Sequence, residues 1–285
     1  MIKRTSPAWI AIFSAAVLLF PCVRLAAQQP NIKEIIEKSV QANQAIFKAT
    51  PEFNYKERDR TGKGSKTYQV TMIDGTPYYR LIALNDQPLS AAQSAAEQKK
   101  QDKIAAQRRA ESSQDRQKRI DKYQKERARD NQMMAQLTQA FNFSFVGERE
   151  VRGFKVWVLK ATPRPGYKPP TLETQVLLGM QGELWIDEKT YNWVRVTAHV
   201  IHPVSIEGFL AQVEPGTQFE LENSPVAGGI WQATHFSMKS QAKVLYMFNR
   251  ASHDDETYFE YQRIETSGQN GQGGPHTLRF ANFPR

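Results

Sequence analysis

The chain has 285 residues and a formal charge of +9, from 38 Lys and Arg against 29 Asp and Glu, with one cysteine, Cys22. A lone cysteine excludes a disulfide framework and a cysteine metal site. The fold must therefore be held by a hydrophobic core, which a chain of this length can bury.

Residues 1–27 read as an export signal. Lys3 and Arg4 open the segment, residues 8–20 are an apolar run interrupted only by Ser14, Pro21 ends it, and Leu25-Ala26-Ala27 supplies small residues before Gln28. The run is shorter than the roughly 20 residues a spanning helix needs. A cleaved signal and a periplasmic or secreted mature chain are expected, with an uncleaved anchor as the alternative. Lipid attachment at Cys22 is disfavoured by the bulky Leu19-Phe20-Pro21 before it. Cleavage removes Lys3, Arg4 and Arg24 and leaves +6. That excess fits contact with anionic lipid or a polyanion, or plain solubility. Export argues against nucleic acid as a partner.

Residues 31–50 predict an amphipathic helix, with Ile32, Ile35, Ile36, Val40, Ile46 and Phe47 near helical spacing. Asn31 is the expected N-cap, with Glu34 placed for a capping box. Pro51 ends the helix. Strands are predicted over 53–60, 65–73 and 76–84, the last two joined by the two-residue turn Asp74-Gly75.

The composition then shifts. Residues 89–139 are rich in Ala, Gln, Lys, Arg and Glu, almost without Gly or Pro, and every preference there is helical. Residues 97–130 hold twelve basic and seven acidic residues. Asp115 with Arg119 and Asp121 with Lys125 stand at i,i+4 in the favourable order. Apolar residues are sparse, so a mostly solvated helix or helical hairpin inserted between strands is expected. Ser112-Ser113 is its expected bend, and Met133, Met134 and Leu137 are where it rejoins the body.

From Phe141 the period returns to two. Strands are predicted over 141–145, 154–161, 182–187, 191–201, 209–213, 218–222, 229–239, 242–250 and 256–264. A Pro-rich connection covers 162–182, and a flexible tail 266–285. The count is about ten or eleven strands joined by short turns: a mainly β (α+β) chain whose antiparallel meander is curved or closed. Residues 28–265 form the expected domain, with the insertion 89–139 inside it.

Several strands are apolar on both faces. Phe154, Val156 and Val158 oppose Trp157 and Leu159, Leu184 and Ile186 oppose Trp185, and residues 244–248 are apolar throughout. A sheet with one wet face would alternate cleanly. These strands either have protein on both faces or line an apolar cavity. The candidate ligand-binding or core residues are Phe154, Val156, Trp157, Trp185, Phe236, Met238, Leu245 and Phe248.

Signs of catalysis are weak. His199 and His202 are three apart on a predicted strand and point to opposite faces. His253-Asp254-Asp255 falls in a predicted turn. No Gly-x-Ser-x-Gly elbow occurs, and Gly62-Lys63-Gly64-Ser65 lacks phosphate-loop spacing. No catalytic set, no metal and no cofactor is expected.

Residues 182–200, GELWIDEKTYNWVRVTAHV, followed by a strand pair and then residues 228–248, GGIWQATHFSMKSQAKVLYMF, resemble the later strands of the lipoprotein-carrier (LolA/LolB-like) half-barrel proteins of bacterial envelopes. Trp185 and Asp187 match that family's W-x-D strand. The resemblance implies a curved antiparallel half-barrel around a helix plug, with an apolar cavity for acyl chains and no chemistry. The strongly basic insertion departs from the family's lid helices. The family also includes envelope regulators that bind protein partners. Two functions follow. The first is a periplasmic, non-enzymatic carrier or binding protein for lipid or lipoprotein acyl chains, touching anionic membrane through residues 97–130. The alternative is an envelope protein-interaction module that docks a partner through the insertion.

Overall fold

The computed structural model describes residues 30–49, 53–206, 211–244 and 248–264. The predicted signal, Cys22, Leu245 and the tail 266–285 lie outside the described residues.

Helix α1 (Ile32–Ala49) turns Ile35, Ile36 and Ser39 inward. Asn31 Oδ1 accepts from the Glu34 amide at 3.3 Å, so the predicted N-cap forms. The reciprocal half of the predicted capping box is replaced, because the Glu34 carboxylate pairs with Lys38 at 2.7 Å.

The strands are β1 (Phe53–Thr61), β2 (Gly64–Ile73), β3 (Thr76–Leu84), β4 (Gln87–Pro88), β5 (Phe141–Val151), β6 (Phe154–Pro163), β7 (Met180–Asp187), β8 (Trp193–Val200), β9 (Val204–Ile206), β10 (Ala211–Val213), β11 (Gln218–Pro225), β12 (Trp231–Val244) and β13 (Phe248–Arg263). They form one sheet of order β4-β3-β2-β1-β13-β12-β11-β8-β7-β6-β5, with β10 pairing both β12 and β9. Every paired strand in it is antiparallel. The sheet does not close, and the whole is a curved α+β half-barrel. The strands the sequence did not suggest are the short β4 and β9, too brief for a hydrophobic period to reveal, while β10 falls within the predicted 209–213. Asp74 and Gly75 both have positive φ, as the predicted hairpin turn requires.

One turn is not where the sequence suggests. Residues 242–250 do not form a separate strand, and His253-Asp254-Asp255 is not a turn. β12 runs on to Val244, which pairs with Phe248, and Met238 pairs with Asp254. The polar stretch near 252–255 stays extended because ladder bonds to β12 outweigh its composition.

β4 lies at one edge of the sheet and β5 at the other, and the insertion is the chain between them. It forms α2 (Ala91–Ala110) and α3 (Ser113–Ala140). Ser90 caps α2 in a full capping box with Gln93, and Ser112 caps α3, so the predicted bend is a helix start. α2 lies on β3, and α3 reaches α1 and β5. Their corner grips the β2–β3 hairpin. Arg108 donates to the carbonyls of Ile73, Thr76 and Pro77 at 3.0, 2.8 and 3.3 Å. Arg119 makes a bidentate pair with Glu111 and donates to the Asp74 carbonyl and Thr76 Oγ1. The expected Asp115–Arg119 pair does not form, since Arg119 turns inward to that hairpin and Asp115 meets Lys118 at 3.8 Å.

The main core sits on the inner face of the sheet, with α1, the end of α3 and a 3-10 helix (Glu173–Gly179) packed on it. A smaller cluster of Val156, Val158, Val194 and Trp231 lies apart from it. Bulges sort residues between the faces. The β7–β8 register shifts between the pairs Trp185–Arg195 and Ile186–Trp193. Trp193 and Val196 therefore face the main core, while Val194 joins the small cluster.

Two outcomes test this arrangement. A Cβ on Gly182 would lie 2.0 Å from the Thr197 carbonyl oxygen and 2.9 Å from the Ala198 Cα, both backbone atoms of the neighbouring strand. Gly182→Ala should cost about 2–3 kcal/mol in urea unfolding. Arg108→Leu should cost about 2 kcal/mol, and limited proteolysis should then cut first within the insertion.

Candidate functional site

Between α3 and the inner face of the sheet lies a cavity of about 90 Å³. α3 contributes Met133, Met134 and Leu137, and β5 contributes Phe141. Val176 and Leu177 come from the 3-10 helix, Met180 and Leu184 from β7, and Val196 and Ala198 from β8. Phe219 and Leu221 on β11 and Met238 on β12 also line it, and Gln181, Thr197, Thr217 and Gln218 border it without exposing polar atoms to it. Its accessible surface consists of apolar atoms only.

Alternation along the strands builds this wall. On β11, Phe219 and Leu221 face inward, while Glu220 and Glu222 bond Arg195 and Arg152 outside the core. Small residues border the space: Ala198 on β8 and Ala161 on β6 stand opposite Gly182 on β7, whose lack of a side chain lets the β8 backbone come close. Four of the seven methionines line it. Their unbranched thioethers make this wall the most deformable part of the core.

The α3 side is held at several points. Arg127 is 2% exposed, donates to the Phe47 carbonyl at 3.1 Å and lies over the Phe47 ring at 4.6 Å. Phe47 is in the last turn of α1, where a guanidinium is favoured by the helix dipole. Burial lowers the Arg127 guanidinium from its usual pKa. Past the methionines, Arg164 donates to the carbonyls of Thr138 and Phe141, and Tyr167 donates to Gln136.

Of the candidates read from sequence, Met238 is on the cavity wall. Phe236 is fully buried in the same core, two residues along β12. Trp157 packs against that core with its ring 5.4 Å from the ring of Tyr191. Phe154, Val156 and Trp185 belong to the small cluster, away from the cavity, because they have the opposite parity on β6 and β7. Phe154 meets Trp231 ring to ring at 5.0 Å, Trp185 donates to Glu183, and Arg195 lies over the Trp185 ring. Phe248 pairs with Val244 through its backbone; its side chain, like Leu245, lies outside the described residues. The Asp187 of the W-x-D strand is buried and accepts from the amide and hydroxyl of Thr190, closing the β7–β8 turn. Met133, Met134 and Leu137 stood out in the sequence only as apolar residues ending a polar helix. Phe219, Leu184 and Ala198 carried no signal beyond strand alternation.

Among the described residues no group of three or more His, Cys, Asp or Glu is placed to hold a metal ion. His199 lies 2.8 Å from the Gln181 amide nitrogen, and His235 meets Asp255 at 3.0 Å. The inner face beyond the cavity carries a tyrosine cluster. Tyr55 stacks on Tyr261 at 5.4 Å, Tyr258 is bonded to Glu256, and Tyr261 donates to the Ala233 carbonyl at 2.6 Å. Burial pushes all three hydroxyls above the usual tyrosine pKa.

No protein-family model and no curated protein matches the chain by sequence. Among solved structures it is similar to a DUF1329 family protein from Desulfovibrio piger, at 12% identity over 84% of this chain and 95% of that one, with a TM-score of 0.32. It is also similar to a LolA superfamily protein from Nitrosomonas europaea, at 12% identity over 82% and 93%, with a TM-score of 0.31. A third likeness is to an outer membrane lipoprotein-sorting protein domain from Vibrio parahaemolyticus, at 11% identity over 82% and 95%, with a TM-score of 0.30.

The tyrosine cluster makes the fold sensitive to alkali. Unfolded tyrosines ionise near pH 10, while Tyr55, Tyr258 and Tyr261 hold their protons longer in the folded chain. Above pH 10 the unfolded state binds fewer protons, so stability, complete below that pH, should fall as pH rises further. Urea midpoints measured across pH 8 to 11 should show the fall, and Tyr55→Phe should make it shallower.

Proposed function

We propose that this protein is a non-enzymatic carrier or binding protein of the cell envelope, and that its ligand is an acyl chain of a lipid or lipoprotein. The observation that carries this reading is the wholly apolar cavity between α3 and the inner face of the sheet. An apolar void excludes water and offers an acyl chain the only interaction it can make. The signal-like residues 1–27 supply the envelope compartment in this reading.

The cavity size sets a condition. At about 90 Å³ it is smaller than the roughly 150 Å³ engineered cavity that admits benzene. A long acyl chain enters only if the wall yields, and the side that can yield is α3. Met133, Met134 and Leu137 are half-buried and sit on a helix, free of the strand ladders that fix the rest of the wall. Each buried methylene gains about 0.8 kcal/mol, so a chain longer than the empty space is needed to offset their displacement.

Filling the space tests the reading. Ala198→Leu places three more carbons at the wall and should raise stability by about 1 kcal/mol. Titration with a fluorescent fatty acid should show saturable uptake by the wild type and at least tenfold weaker uptake by Ala198→Leu. A wild type that takes up no probe, alongside a stabilised variant, would make the cavity an ordinary packing defect.

A further inference from the structure

We propose that α3 docks this protein on an anionic phospholipid surface through one stripe of basic side chains. Lys118, Lys122, Lys125 and Arg129 follow one another at i, i+4, i+7 and i+11, which aligns them on one side of a helix. All four are exposed. They span about 16 Å of helix. Lys118 has a loose partner in Asp115 at 3.8 Å, and no ion pair among the described residues engages the other three.

The stripe differs from the other basic residues of the insertion. Arg108, Arg119 and Arg127 turn inward and hold α3 and its corner to the hairpin and to α1. Those three explain why α2 and α3 stay on the body; the stripe is not needed for that. The rest of the exposed side between residues 118 and 129 is Asp121, Glu126 and Ala128. It offers no aromatic or large apolar anchor of the kind that centres a protein–protein interface. A row of basic side chains without anchors matches a surface that is itself diffuse, negative and laterally mobile, which is an anionic bilayer. Asp121, which accepts from Gln117 at 2.7 Å, and Glu126 flank the row and keep the attraction moderate and reversible.

The same helix carries Met133, Met134 and Leu137 over the cavity, one to two turns beyond Arg129. Docking the stripe would bring the yielding wall close to a source or acceptor of acyl chains. That delivery role rests on the carrier reading above; the docking itself does not.

The test is cosedimentation of the full chain with phosphatidylcholine vesicles, with and without phosphatidylglycerol. It is run beside fatty-acid uptake measured without vesicles. Near-surface basic residues contribute about a factor of five each. The Lys118→Gln, Lys122→Gln, Lys125→Gln, Arg129→Gln variant should therefore lose at least a hundredfold in partitioning to phosphatidylglycerol vesicles. Its melting curve and fatty-acid uptake should stay as in the wild type. High salt should release the wild type in the same way. Equal sedimentation of wild type and variant would overturn the stripe as the docking surface. A wild type that ignores phosphatidylglycerol would overturn docking on lipid altogether. Loss of fatty-acid uptake in both proteins, with vesicle binding retained only by the wild type, would remove the carrier reading and leave the docking standing.

Discussion

The chain leaves its sheet at one edge and re-enters at the other, and most of the molecule follows from that. β4 and β5 are consecutive strands, yet they are the two free margins of one open sheet. Whatever joins them must pass from margin to margin. Two helices do so, and the second is 28 residues long, about 42 Å. It closes over the inner face without forming a strand. A single crossing helix cannot seal a curved sheet along its whole length. Where small residues on β6, β7 and β8 face it, space remains between them.

That geometry explains the composition of the insertion. A helix passing over a half-barrel meets protein along one narrow side and water on the others. Its inner positions take whatever the local contact demands: arginines where backbone carbonyls of the β2–β3 hairpin and α1 are open, methionines and a leucine where it passes over the apolar wall. Its outer positions are charged residues interspersed with Gln and Ala. From sequence alone the charge is loud and the apolar foot faint, since three apolar residues at the end of a polar helix make no continuous stripe. The insertion was legible as helical and basic, with Met133, Met134 and Leu137 as its point of return. Its role as the cover of the inner face needed the strand order, which no local pattern encodes.

The strands show the same division. Two-faced strands were visible as Trp157 against Val156 and Trp185 against Leu184. The structure gives each face its own cluster, the main core inside and the small Val156–Val158–Val194–Trp231 group apart from it. Parity predicts that neighbours separate, but it does not say which set faces the helices. A bulge can also reverse parity within one strand, as between Val194 and Val196, which are two apart yet belong to different clusters. Bulky aromatics draw attention in a sequence, and here several of them are structural: Phe154 and Trp185 serve the small cluster. The cavity is defined instead by what is small, Gly182, Ala198 and Ala161, and smallness leaves no mark in a hydrophobic pattern. The Asp74-Gly75 turn was easier to read, because both positions need positive φ whatever the surrounding fold.

The proposed uptake of an acyl chain beneath α3 also has an energetic logic. Fully burying a Met or Leu side chain is worth about 1.5–3 kcal/mol, and Met133, Met134 and Leu137 are only half-buried, so lifting them costs a few kcal/mol. A chain of about ten methylenes gains roughly 8 kcal/mol on burial and loses at least about 4 on association. The difference is small. A deeper cavity, or a cover free of its arginine clamps, would hold such a chain more tightly and release it more slowly. A filled cavity would not hold it at all. The clamps at Arg108, Arg119 and Arg127 precede the methionines and Arg164 and Tyr167 hold the end of α3 beyond them, so what can yield between these points is the half-buried side chains of Met133, Met134 and Leu137. Under the proposed carrier reading, weak binding beneath a partly fixed cover would let the protein receive an acyl chain at one surface and give it up at another.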